Sequence, residues 1–269
     1  CYFSFNTIFK KQCVWDFNSF RLITVVGGAG VPKVIVPIVG KTREEILAKG
    51  RELAEIPLHV VEWRVDFYED VFDTEKVLDT LAQLRAVLGE TPILFTFRTR
   101  KEGGEKEITM DDYTALNTAV ARSGSADAID VEIFSGDQVV SQNIETIHAA
   151  GKVVVGSNHD FHKTPSQADL VYRLRKMQDM GAALPKIAVM PQNKADVLTL
   201  LSATEEMSRC YADRPIITMS MSATGVLSRL CGEVFGSAMT FGTVGQASAP
   251  GQIPVEQLNS ATGIIHNAL

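Results

Sequence analysis

From residue 33 onward the chain alternates short apolar runs with longer amphipathic stretches. The runs predict strands at Lys33–Val39, Leu58–Asp66, Pro92–Arg98, Ala128–Ile133, Lys152–Asn158, Lys186–Met190, Pro215–Ser220 and Ala238–Val244. The stretches between them carry apolar residues at helical spacing near 43–55, 73–88, 110–123, 137–150, 165–180, 193–210 and 224–233, with a last helix near 254–268. Helix starts are signalled by Thr42 with Glu45 three residues later, by Asp73 before Lys76, and by Thr164-Pro165. Repeated strand–helix units of this kind predict a single-domain α/β fold, a (β/α)8 barrel of the TIM type. A doubly wound sheet is the competing reading. It calls for a glycine-rich turn after the first strand, where Pro37-Ile38-Val39-Gly40-Lys41-Thr42 offers one glycine. Residues 17–30, with Gly27-Gly28-Ala29-Gly30, are expected to form a short hairpin closing the barrel bottom. The aromatic-rich segment 1–16 reads as an extension without a functional role, so the expected division is 1–16 extension and 17–269 catalytic barrel.

Several strands break the pattern a buried parallel sheet requires. Such a strand is covered on both faces and is usually apolar throughout. In Val60-Val61-Glu62-Trp63-Arg64-Val65-Asp66, one face instead carries Glu62, Arg64 and Asp66, and the other Val61, Trp63 and Val65. The apolar face should meet the helices and the charged face the barrel interior. An internal salt-bridge network would explain those charges as well as a substrate site does. On the third strand parity aligns Arg98 with Thr96, and the loop after it holds Glu102, placed to orient a neighbouring base.

Lys186 stands inside the buried run Leu184-Pro185-Lys186-Ile187-Ala188-Val189. Burial disfavours an ammonium, and a neutral amine attacks carbonyls to form a Schiff base. Lys163 and Lys194 are rivals, but both lie in polar, solvated stretches. Of five histidines, His159 falls at the C-terminal end of a strand, where barrel enzymes place their chemistry. His59 lies at the opposite end, and His148 and His266 fall in helix patterns. His162 could pair with His159 on a metal, but no third ligand has suitable spacing, so no metal or organic cofactor is expected. Ser228-Arg229 follows the seventh strand, and Ser248-Ala249-Pro250-Gly251-Gln252 follows the eighth as a small polar loop fit for a lid.

Composition narrows the class without choosing the chemistry. The chain is 45% hydrophobic and 22% charged over 269 residues, which suits one globular domain with a sizeable core. A net charge of -6 argues against a nucleic-acid partner, and no apolar run reaches ~18 residues, so no membrane span is expected. Cys1, Cys13, Cys210 and Cys231 show neither disulfide nor zinc spacing and read as free thiols of a cytoplasmic protein.

The stretches Glu62-Trp63-Arg64-Val65-Asp66, Phe95-Thr96-Phe97-Arg98, Lys101-Glu102-Gly103-Gly104, Ser157-Asn158-His159-Asp160-Phe161-His162-Lys163-Thr164-Pro165, Pro185-Lys186-Ile187-Ala188, Thr218-Met219-Ser220-Met221 and Ser248-Ala249-Pro250-Gly251-Gln252 occur in order at strand ends. In these the chain resembles the type I 3-dehydroquinate dehydratases. The resemblance implies a shikimate-pathway lyase that dehydrates 3-dehydroquinate to 3-dehydroshikimate through an imine. It implies Lys186 as the imine-forming lysine, His159 as the proton-transfer residue and Glu102 as its assistant. It implies Glu62, Arg64 and Arg98 on substrate hydroxyls, Arg229 on the substrate carboxylate, and Ser248 and Gln252 in a closing loop. It further implies a homodimer. Pro37 departs from the family pattern, because some members carry a substrate-contacting serine there. The alternatives from the residues alone are another Schiff-base barrel, of aldolase or transaldolase type, with Gly242-Thr243-Val244-Gly245 as a phosphate site, and a non-catalytic barrel that binds a small acid, against which the set of Lys186, His159 and Glu102 argues.

Overall fold

The computed structural model describes residues 30–245 and 247–269. The expected extension, the expected hairpin apart from Gly30, and Gln246 lie outside the described residues. The strands are β1 (Lys33–Ile38), β2 (Val60–Arg64), β3 (Ile93–Thr96), β4 (Ala128–Glu132), β5 (Val153–Asp160), β6 (Leu184–Val189), β7 (Ile217–Ser220), β8 (Met239–Thr243) and a two-residue β9 (Ile253–Pro254). The helices are α1 (Arg43–Ala54), α2 (Thr74–Leu88), α3 (Met110–Ser123), α4 (Asp137–Ala149), α5 (Gln167–Asp179), α6 (Lys194–Cys210), α7 (Val226–Leu230), α8 (Gly232–Phe235) and α9 (Val255–His266).

The sheet runs β7-β6-β5-β4-β3-β2-β1-β8-β9, and every pairing is parallel. Its ends meet through one parallel bridge, Ile216 to Ser237, with the Ala238 N–H donating to the Ile216 carbonyl at 2.8 Å. Ser237 extends this seam with its side chain: its hydroxyl accepts from the Thr218 N–H at 3.0 Å. The expected (β/α)8 barrel is therefore the observed architecture.

Two apolar layers follow from strand parity. Val61, Trp63, Val65, Phe95 and Phe97 face the helices, with the Trp63 and Phe95 rings edge-to-face at 5.7 Å. Ile35, Val60, Leu94, Val155, Leu184, Ile217, Met239 and Phe241 fill the barrel interior. The charged face of β2 therefore points inward, as its alternation predicts.

The caps follow the expected chemistry with one exception. Thr42 and Glu45 form a reciprocal capping box on α1, and Asp73 accepts from the Lys76 N–H on α2. On α5 the cap is Ser166, whose hydroxyl accepts from the Asp169 N–H, rather than Thr164. Thr164 instead donates to the Met190 carbonyl. The helix expected near 224–233 is two pieces, α7 and α8, meeting at Cys231. The break has a packing cause: a side chain at Gly232 would meet the Ser237 carbonyl and the Pro32 ring.

Candidate active site

β3 and β4 pair over only two residues, Leu94 with Ala128 and Phe95 with Ile129. Beyond that point side chains replace the ladder. Glu132 accepts from the Thr99 N–H at 2.8 Å, the Thr99 hydroxyl at 2.7 Å and Arg98 Nη1 at 3.0 Å. The Tyr113 hydroxyl donates to the Asp130 carbonyl and accepts from the Glu132 N–H. The splayed strands leave room for a polar interior at the C-terminal mouth.

Arg98 is the hub of that interior. It pairs with Asp130 at 2.8 Å and lies 3.6 Å from Glu102, and it donates to the Ser157 hydroxyl at 2.9 Å. Burial works against its charge, but the Asp130, Glu132 and Glu102 carboxylates hold its guanidinium well above the ordinary value. Asp130 feels the reverse: burial would raise it, yet Arg98 and Lys186, with a hydrogen bond from Ser157, hold it below the usual range.

Lys186 is 3% exposed and sits on β6 beside Ser157 of β5. It is buried, as expected, but not alone. Its Nζ lies 3.5 Å from Asp130 and 3.6 Å from Glu62, and 4.5 Å from the centre of the Phe241 ring. Glu62 is itself held by the Thr96 hydroxyl at 2.9 Å. Ala188, one turn of the pleat further on, keeps the space above the lysine open.

His159 stands one strand away. Glu102 accepts from its backbone N–H at 2.9 Å and faces ring Nδ1 at 3.0 Å, which turns Nε2 toward the cavity. Burial, then Arg98, Lys186 and Arg64, push the imidazole well below its ordinary value, so it rests neutral. Burial and the nearby Glu132 charge push Glu102 up to about 8.

Arg64 makes a two-pronged pair with Asp66, both contacts at 2.8 Å. For these two residues the internal salt-bridge reading was right, although Arg64 also lines the cavity. Arg229 differs from the other interior cations. It is 1% exposed, donates to the Pro250 carbonyl at 3.1 Å, and has no carboxylate partner among the described residues. Burial alone lowers its guanidinium to about 10. Its hold on Pro250 ties the 247–252 loop across the mouth, and Ser222 N–H also donates to Pro250. Within that loop Ser248 and Gln252 bond to each other through both side chains and the Ser248 N–H.

All nine residues expected in the site line one cavity of about 460 Å³, its open mouth included. Asp130, Glu132, Ser157 and Asn158 bond to its lining side chains without lining it themselves, and Phe241 joins the lining. The first two were legible in Ala128-Ile129-Asp130-Val131-Glu132, which repeats the alternating charges of β2. Residues 242–245, the expected phosphate site of the alternative reading, do not line the cavity, nor does Pro37. Lys163, Lys194 and His162 are exposed. His59 accepts from the Val34 N–H at the far end of the barrel.

These groups define the class of protein: a (β/α)8-barrel enzyme with a buried amine, a carboxylate-held histidine and a buried guanidinium around one cavity. A family model described as type I 3-dehydroquinase matches residues 34–268. The chain belongs to the type I 3-dehydroquinase family. The 3-dehydroquinate dehydratase of Clostridioides difficile (strain 630) is 52% identical over 242 residues, covering 90% of this chain and 95% of that relative. The protein of the same name from Salmonella agona (strain SL483) is 53% identical over 244 residues, covering 91% and 97%. The crystal structure of type I 3-dehydroquinate dehydratase from Clostridium difficile with covalent modified comenic acid superimposes with a TM-score of 0.87, covering 90% of this chain and 95% of that one. The 3-dehydroquinate dehydratase from Enterococcus faecalis, 44% identical, gives 0.84 over 89% and 96%. A 3-hexulose-6-phosphate synthase, 16% identical with a TM-score of 0.57, shares the fold alone.

Proposed function

We propose that Lys186 forms the imine through which this chain dehydrates 3-dehydroquinate to 3-dehydroshikimate. The reaction is that of the family, and the chain is a hydro-lyase. The observation that carries the role of Lys186 is its burial in the same cavity as the carboxylate-held His159 and Arg229, which has no carboxylate partner among the described residues.

The site chemistry then runs as follows. Lys186 Nζ adds to the C3 carbonyl, and loss of water from the adduct leaves a protonated imine. The imine is an electron sink for the bond broken next. His159 Nε2 takes the proton from C2, and the electron pair collapses into an enamine. The same imidazolium returns its proton to the departing C1 hydroxyl, which leaves as water. Hydrolysis of the product imine frees Lys186 and consumes the water expelled in the first step, so one water is lost overall. Asp130 and Glu62 flank the lysine and can accept the proton it must shed before attack. Glu62, Arg64 and Arg98 hold substrate hydroxyls. Arg229 receives the substrate carboxylate, because a buried guanidinium without a counter-ion gains most from one. Ser248 and Gln252 close over the bound molecule.

Borohydride reduction with 3-dehydroquinate, followed by intact mass and peptide mapping, tests the reading. A stable adduct on Lys186 is expected in the wild type and none in Lys186→Met, which should also lose turnover. A wild-type protein that dehydrates 3-dehydroquinate but yields no adduct would refute the imine. The chain also works as a cytoplasmic homodimer on this reading, which rests on family membership, and light scattering of the purified protein tests the dimer. Among the described residues no helix is long and apolar enough to cross a membrane.

A further inference from the structure

Asn158 has the opposite strand parity to Ser157 and His159, so its side chain leaves the barrel interior. It still reaches the site. Its amide nitrogen donates to Glu102 Oε1 at 3.0 Å, and its amide oxygen accepts from Arg173 Nη1 on α5 at 2.8 Å. Arg173 is held in turn by Asp169 at 2.8 Å and lies over the Phe134 ring at 5.8 Å. The chain of contacts Asp169–Arg173–Asn158–Glu102–His159 thus runs from the solvent edge of α5 to the imidazole without a gap.

The chemistry of the links gives this chain a direction. An amide can present either end to a neighbour, but a guanidinium only donates. Arg173 therefore fixes the Asn158 oxygen outward and its NH2 toward Glu102. Three groups of β5 then converge on Glu102: the Asn158 NH2 and the His159 backbone N–H donate to it, and ring Nδ1 shares a hydrogen bond with it. We propose that Asn158 and Arg173 are positioning residues, which act through Glu102 to set the orientation of His159 and the proton it carries.

The remaining groups around Glu102 make the contribution measurable. Arg98, just past β3, favours the carboxylate, whereas Glu132 and Asp130 of β4 oppose it. The Asn158 hydrogen bond adds to Arg98 in favour of the carboxylate. If the amide is free to turn, Glu102 keeps its proton to higher pH, and His159 loses its acceptor at Nδ1.

The inference rests on the acid–base role of the Glu102–His159 pair. The test is the pH profile of kcat for Arg173→Met, with Arg173→Lys as the conservative variant and Asn158→Ala as the inner one. In Arg173→Met, kcat should fall roughly 10- to 100-fold, the scale of a misplaced catalytic group. KM should hold and the alkaline inflection should move upward. Arg173→Lys should recover part of both, and Asn158→Ala should show the larger change. Borohydride should still trap substrate on Lys186 in every variant, because imine formation does not need this chain of contacts. Failure to trap the wild type would count against the imine reading and leave this one to the pH profile. A wild-type kcat and profile in Arg173→Met, or a lower kcat with an unmoved inflection, would overturn the proposal.

Discussion

At the scale of single residues, the site works by setting neighbouring ionisable groups against each other. Glu102 is the clearest case. Its free side chain ionises near 4.5, but in the folded protein the value is about 8. Between those values the folded state binds more protons than the unfolded one, so its contribution to stability is present at low pH and is lost as pH rises through about 8. His159 shifts the other way, and its unfolded form titrates around 6.5 alike in the wild type and in Glu102→Gln, so the difference between the two proteins above pH 6.5 reports Glu102. Glu102→Gln removes the burden of a buried carboxylate. We predict that the melting temperature of Glu102→Gln gains on the wild type as pH is raised from 6.5 to just above 8. A constant gap across that range in paired thermal melts would contradict the shifted carboxylate.

Single elements decide whether those residues meet. Glu102 reaches the site on a one-turn 3-10 helix, Arg100–Glu102, which stops at Gly103 with φ 85. Gly103 lies under the Phe161 ring, and a side chain at Gly104 would run into the Arg98 carbonyl oxygen. The two glycines therefore let the loop fold back closely enough for the Thr99 carbonyl to accept from both the Glu102 and the Gly104 N–H. Gly104→Ala should cost about 1–3 kcal/mol of stability through the clash of the added methyl with the Arg98 carbonyl. It should also lower kcat, because Glu102 moves. Urea titration and steady-state kinetics check the two parts, and a variant as stable and active as the wild type would remove the close-approach argument.

At the scale of the whole molecule, the barrel has a weak seam between β7 and β8. One bridge and the Ser237 hydroxyl do the work that six ladder pairs do between β5 and β6. Ser237→Ala leaves the Thr218 N–H buried without its partner, a change that costs about 1–3 kcal/mol. The Thr218 amide should also exchange with solvent faster, whereas amides of the β5–β6 ladder should not. Equal protection of Thr218 in both proteins, by hydrogen exchange, would show that the seam closes by other means. Because Lys186 lies on β6 and Arg229 on α7 beside this seam, its integrity bears on the site as well as on stability.

The sequence determined the barrel and most of its site. Period-2 alternation by itself separates Glu62 and Arg64 from Val61 and Trp63, because a strand offers only two faces. A lysine inside an apolar run and a histidine at a strand end were legible for the same reason. Only the tertiary structure decided the pairings. Asp130 beside Lys186, Glu132 beneath Arg98 and Asn158 between Arg173 and Glu102 join residues from different strands, loops and helices. Local pattern tells which way a side chain points but not what waits there. That depends on strand register, on the splay of β3 from β4, and on the field of every charge enclosed with it.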